Sequence, residues 1–110
     1  MLASLINIPT GPEEWQEWSF AHANDHRIIR DAIQASKSIN LQDWTLDPIN
    51  PDLFVGWLRN NQQSHTDVNS TLGIPGSDLE DVDISDPGQR ESWWESHYQE
   101  HFDWHAVLGI

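Results

Sequence analysis

The stretch PGQRESWWESHYQEHFDWHAVLGI, Pro87 to Ile110, decides the reading of this chain. Asp86 precedes its proline, and Gly109 follows its last leucine. An aspartate is a favoured N-cap, and a proline after it is preset for the first helical turn. A glycine just past the apolar pattern is a helix C-cap. Between these ends, Trp93 is followed by His101 eight residues on, then by Trp104 and Leu108. At about 100° per residue these three fall about 80°, 20° and 60° from the tryptophan, on one core-facing stripe. The stretch therefore predicts an amphipathic helix over 87–108, of roughly six turns.

The same spacing occurs twice upstream. Pro12, Trp18, His26, Ile29 and Ile33 stand at the offsets of Pro87, Trp93, His101, Trp104 and Leu108, and so do Pro51, Trp57, His65, Val68 and Leu72. An amide precedes each histidine by two residues, as Asn24, Gln63 and Gln99. Leu72-Gly73-Ile74 ends the middle unit as Leu108-Gly109-Ile110 ends the last. Gly11-Pro12 and Asn50-Pro51 supply cap-proline starts, and Glu13, Glu14 and Asp52 put negative charge where the helix dipole favours it. The expectation is an all-α fold of three amphipathic helices, 12–35, 51–72 and 87–108, with a threefold internal repeat. Three unrelated amphipathic helices are the plainer alternative. Trp18, Ile29, Ile33, Trp57, Val68, Leu72, Trp93, Trp104 and Leu108 are the expected core.

The connectors read differently. Ser36 to Ile49 carries Leu41, Trp44, Leu46 and Ile49, while Pro75 to Asp86 alternates Leu79, Val82 and Ile84 with acidic residues. Period-two alternation predicts extended chain with one packed face. Residues 1–110 form one domain in this reading, with 1–11 an extended N-terminal arm. Leu5, Ile6 and Ile8 of the arm, Leu79, Val82 and Ile84 of the second connector, and Trp15, Trp44 and Trp94 are the expected partner-binding residues. Apolar side chains outside a core need a neighbour to cover them.

Composition narrows the function classes. The chain has 110 residues, enough for one modest core, and only 37% of them are hydrophobic. Seven tryptophans add large buried areas. A net charge of −13 with five Lys and Arg argues against phosphate-directed nucleic-acid binding and against anionic membrane surfaces. With no cysteine, disulfides and thiolate chemistry are excluded. The short apolar run Met1–Ile8 lacks the flanking charge of a signal peptide. The chain reads as cytosolic or as part of a particle assembled there.

Histidine is the remaining chemical resource. His22 and His26 are four apart, as are His97, His101 and His105, and such pairs share a helix face and can chelate a divalent metal. No His-Glu-x-x-His motif accompanies them. The first reading is packing against the tryptophan rings, with half-buried, satisfied imidazoles. Neither a metal site nor a cofactor is assigned, and no catalytic residue is. Asp81-x-Asp83-x-Ser85 lacks the glycine and terminal glutamate of a calcium loop.

Several stretches resemble a group of small proteins encoded in the structural-gene region of tailed bacteriophages. They are Asn7-Ile8-Pro9, Pro12 to Trp15, Trp18-Ser19-Phe20, Leu46 to Ile49, Leu72-Gly73-Ile74, Asp78-Leu79, Asp81-Val82-Asp83 and Trp93 to Ile110. The resemblance implies a non-enzymatic structural protein of a virion, assembled in the host cytoplasm. Its partners would be other phage structural proteins at the head-to-tail connector or capsid surface. The alternative is a small acidic regulatory or inhibitory module that binds a basic protein surface.

Overall fold

The computed structural model describes residues 5–37, 46–50, 53–75 and 86–110. It is all-α. Helix α1 spans Pro12–Lys37, α2 spans Phe54–Leu72 and α3 spans Pro87–Leu108.

Local chemistry accounts for the ends. The Gly11 carbonyl accepts from Trp15 N at 2.9 Å, opening α1, and Thr10 bonds the Glu14 carboxylate through both N and Oγ1. At α3 the Asp86 carboxylate accepts from Gly88 N at 3.0 Å. Gly73 and Gly109 close α2 and α3 with φ of 70°, the left-handed conformation that favours glycine. Two bounds differ from expectation. α1 runs two residues further, to Lys37, and α2 begins at Phe54 rather than Pro51. Leu53 N donates to the Asn50 carbonyl at 2.8 Å just before α2 begins, and the expected first-turn residues Pro51 and Asp52 lie outside the described residues.

The three helices point the same way. Trp18, Trp57 and Trp93 meet one another, with ring centroids 5.6–6.4 Å apart. One level along, His26, His65 and His101 form a near-equilateral triangle with centroids 5.0–5.1 Å apart. Ile29, Val68 and Trp104 cluster beyond them, with Leu72 and Leu108 packed alongside. Residues at equal offsets can meet layer by layer only if the helices are parallel. Each connection therefore returns the chain to the end where the previous helix began.

The apolar core is in two parts. One gathers Leu5, Trp18, Ile49, Phe54, Trp57, Leu58, Trp93 and Trp94; the other gathers Ile29, Ile33, Val68 and Trp104. Between them lies a polar layer. Leu5 and Trp94, expected on a partner-facing surface, are interior at 0% and 1% exposure, and this corrects the reading of both. Trp94 follows Trp93 and, in a parallel bundle this tightly packed, lies against Trp15 and Trp18 of α1. The Leu5 carbonyl accepts from Trp18 Nε1, which ties this residue of the arm to the core. Ile8 and Trp15 are half-buried against the same cluster, and Ile6 is exposed. Trp44, Leu79, Val82 and Ile84, with most of both connectors, lie outside the described residues.

Candidate metal centre

The polar layer is made of imidazoles. α1 supplies His22 and His26, α3 supplies His97 and His101, and α2 supplies His65. Four-residue spacing places each pair on one helix face, and the parallel arrangement turns those faces to a common axis. All five are interior, none more than 5% exposed. His22 stacks on Trp18 and His97 on Trp93, at centroid distances of 4.8 and 4.5 Å. Trp104 covers His65 from the other side at 4.4 Å. The expected packing against tryptophan is present, but the rings are fully buried and also face one another.

Their Nε2 atoms converge. His22 and His97 approach at 3.0 Å, His22 and His26 at 3.2 Å, and His26 and His65 at 3.3 Å. The donor atoms of His22, His65, His97 and His101 all lie within 4.8 Å of one another. Hydrogen bonding cannot satisfy this arrangement. An imidazole nitrogen has one in-plane site, a proton or a lone pair, and serves one partner through it. Nε2 of His22 and Nε2 of His26 each face two. In addition, Nε2 of His101 and Nδ1 of His22, His26 and His97 are buried without a partner.

The outward sides are organised where carboxylates reach them. His101 Nδ1 donates to Asp25 Oδ2 at 2.6 Å, and His105 Nε2 bonds Asp25 Oδ1 at 2.7 Å. His65 Nδ1 donates to Glu100 Oε1 at 3.2 Å. Glu100 Oε2 accepts from Asn69 Nδ2 at 2.7 Å, and Asn69 Oδ1 accepts from Trp104 Nε1 at 2.8 Å. The indole can only donate, so it fixes the Asn69 amide, which in turn holds Glu100. With the proton on Nδ1, His65 and His101 present Nε2 lone pairs inward.

Burial disfavours the charged form of four of the rings. Burial, and then the neighbouring histidines, hold His22, His26 and His97 well below the usual imidazole pKa. Burial lowers His65 to about 4, although its bond to Glu100 acts in the opposite direction. Burial alone would raise Asp25, but the bonds from His101 and His105 outweigh it and leave the carboxyl below its usual value. Neutral imidazole is the ligating form. Zinc–nitrogen bonds of about 2.0–2.1 Å put tetrahedral ligands about 3.4 Å apart, so the Nε2 separations suit one shared ion. The widest pair, up to 4.8 Å apart, would draw in by about 1.4 Å.

Of the nine residues expected to bind a partner, the five that the structure describes, Leu5, Ile6, Ile8, Trp15 and Trp94, lie outside this layer. The sequence carries the signal that places the layer, since His22, His26, His65, His97 and His101 all fall on the buried stripe. Asp25, Asn69 and Glu100 carry no such signal, and their roles appear only when the helices are assembled. The fold and site define a parallel three-helix chain with a polyhistidine core. Comparison with protein families, curated proteins and solved structures finds no match to it.

Proposed function

We propose that this chain is a non-enzymatic structural protein whose three helices are held together by a divalent transition-metal ion, with zinc the best fit. The observation that carries the reading is the convergence of five buried imidazoles, two of whose Nε2 atoms each face two partners where one hydrogen bond can be served. An all-protein, enclosed donor set supports a structural rather than catalytic ion, because catalytic sites keep a position open to substrate. Nitrogen donors without thiolate suit zinc, copper and nickel better than magnesium or calcium. Ligands from all three helices make metal binding and helix association one event. The test is elemental analysis of the full chain purified without chelator, followed by thermal unfolding before and after EDTA. About one equivalent of metal and a lowered Tm restored by zinc are expected. A metal-free protein indifferent to EDTA and to added zinc overturns the reading.

A second reading concerns where such a protein works. We propose a component of a tailed-phage particle, bound to neighbouring structural subunits. The resemblance in residues 7–9, 12–15, 18–20, 46–49, 72–74, 78–79, 81–83 and 93–110 supports this. The exposed apolar Leu53 and Val55 beside a cleft lined by Leu46 and Pro48 also suit a protein neighbour. Co-purification with particles at fixed copy number is the expected result; absence from washed particles overturns it.

A further inference from the structure

The layers of the bundle contain a sixth position that the imidazoles do not fill. One turn after its stripe tryptophan, α1 carries His22 and α3 carries His97; at the same offset from Trp57, α2 carries Asn61. Parallel helices bring equal offsets to one level, as they do for the tryptophans and for His26, His65 and His101. Trp57 and His65, one turn to either side of Asn61, both lie against His22, at centroid distances of 5.3 and 6.1 Å. Asn61 therefore sits on the face of α2 turned to the cluster. It is 1% exposed, and its Oδ1 has no hydrogen-bond partner among the described residues. A buried carbonyl oxygen left unpaired costs stability, and a bound ion is one of the few things that account for it.

We infer that Asn61 Oδ1 is the sixth donor of a six-coordinate site, in which His22, Asn61 and His97 form one triangular face and His26, His65 and His101 the other. The inference rests on the metal-binding reading above and deepens it, assigning the ligand number and an oxygen donor. An octahedron is two triangles facing each other along a threefold axis. Two successive layers of a parallel three-helix bundle supply that arrangement. With metal–ligand bonds of about 2.1 Å, adjacent ligands of an octahedron lie about 3.0 Å apart and opposite ones about 4.2 Å. The Nε2 contacts measure 3.0, 3.2 and 3.3 Å, and the donor atoms of His22, His65, His97 and His101 reach up to 4.8 Å. An opposite pair at 4.8 Å closes by about 0.6 Å, less than half of what a tetrahedral ion asks of it. Four ligands would also leave one of the five imidazoles and the amide oxygen unserved, whereas six serve all of them. Zinc has no d-electron preference between the two geometries, so the donor chemistry argued above is unchanged.

The experiment uses the full chain, treated with EDTA and titrated with Co2+. The visible bands of cobalt are weak in six-coordination and intense in four-coordination. Wild type is expected to bind a single ion with weak bands. Asn61→Leu keeps the approximate shape and removes the oxygen. It should weaken Co2+ binding by about 10-fold or more and intensify the bands. Its metal-free Tm should nevertheless rise, because the unpaired carbonyl is gone. An amide with a purely structural role would give a lowered metal-free Tm and an unchanged spectrum. Asn61→Asp, which keeps an oxygen donor, should retain the weak bands. If wild type binds neither Co2+ nor Zn2+, the metal-binding reading falls and this inference with it. If wild type binds Co2+ with intense bands, the inference alone is overturned. The same holds if Asn61→Leu binds Co2+ with wild-type affinity and spectrum. Should Asn61→Leu not fold, wild type and Asn61→Asp decide, and intense bands in either overturn the assignment.

Discussion

At the scale of single residues, the buried histidines link the fold to pH. A histidine whose pKa is lower in the folded state takes up its proton in the unfolded chain first, so acid favours unfolding. For His65 the window runs from the unfolded value of 6.5 down to about 4. His22, His26 and His97 act in the same direction. Stability of the EDTA-treated protein is therefore complete above pH 6.5 and falls below it. Each such histidine contributes a loss of up to about 1.4 kcal/mol per pH unit. Urea midpoints at pH 7.5 and pH 5.5 should differ clearly, and a flat profile would mean that the rings are not buried as neutral bases. Added zinc should steepen the dependence, because protons and metal compete for the same lone pairs.

At the scale of elements, the helices were legible because their signals are local. Asp86 before Pro87, and Gly73 and Gly109 after the last leucines, act within a turn, and the helix ends fall there. The start of α2 was not legible: the helix begins at Phe54, just after Leu53 N bonds the Asn50 carbonyl. Two glycines, Gly56 within α2 and Gly73 at its C-cap, make opposite predictions. Gly73 sits at φ of 70° with nothing within 4 Å of an added Cβ, so Gly73→Ala meets backbone strain alone and should cost about 1 kcal/mol. Gly56 is exposed inside the helix with equally open space, so Gly56→Ala should stabilise by about 0.5–1 kcal/mol. Chemical denaturation of the two variants beside wild type measures both, and matching signs would contradict the assigned conformations. α2 also explains why the centre was only half legible. It offers Asn61, interior and with Oδ1 unpartnered, where α1 and α3 carry His22 and His97. The chelating spacing could be read within α1 and within α3. That both pairs face one point with His65 depends on helix direction, which no residue spacing records. Packing and ligation use the same stripe, so spacing alone could not separate them.

At the scale of the whole molecule, the partners that define the core are distant along the chain. His22 meets His97 across 75 residues, His101 meets Asp25 across 76, and His105 meets Asp25 across 80. Parallel helices impose this, because every connection must travel back before the next helix can begin. In an up-and-down bundle, short turns let neighbouring helices zip together soon after they form. Here the chain must close two long loops before any layer is complete, and the entropy of closure is met before contacts repay it. High contact order slows folding even in all-helical chains, so refolding should take milliseconds or longer rather than the microseconds of local bundles. Stopped-flow tryptophan fluorescence after urea dilution checks this, and a microsecond burst carrying the full amplitude would refute it. During that delay three separate helices expose tryptophan faces, the state in which a chain is most prone to stick to its copies. A metal that needs all three helices arrives too late to shorten the search. Its effect belongs on the reverse step, as a slower unfolding rate that keeps an assembled molecule from reopening.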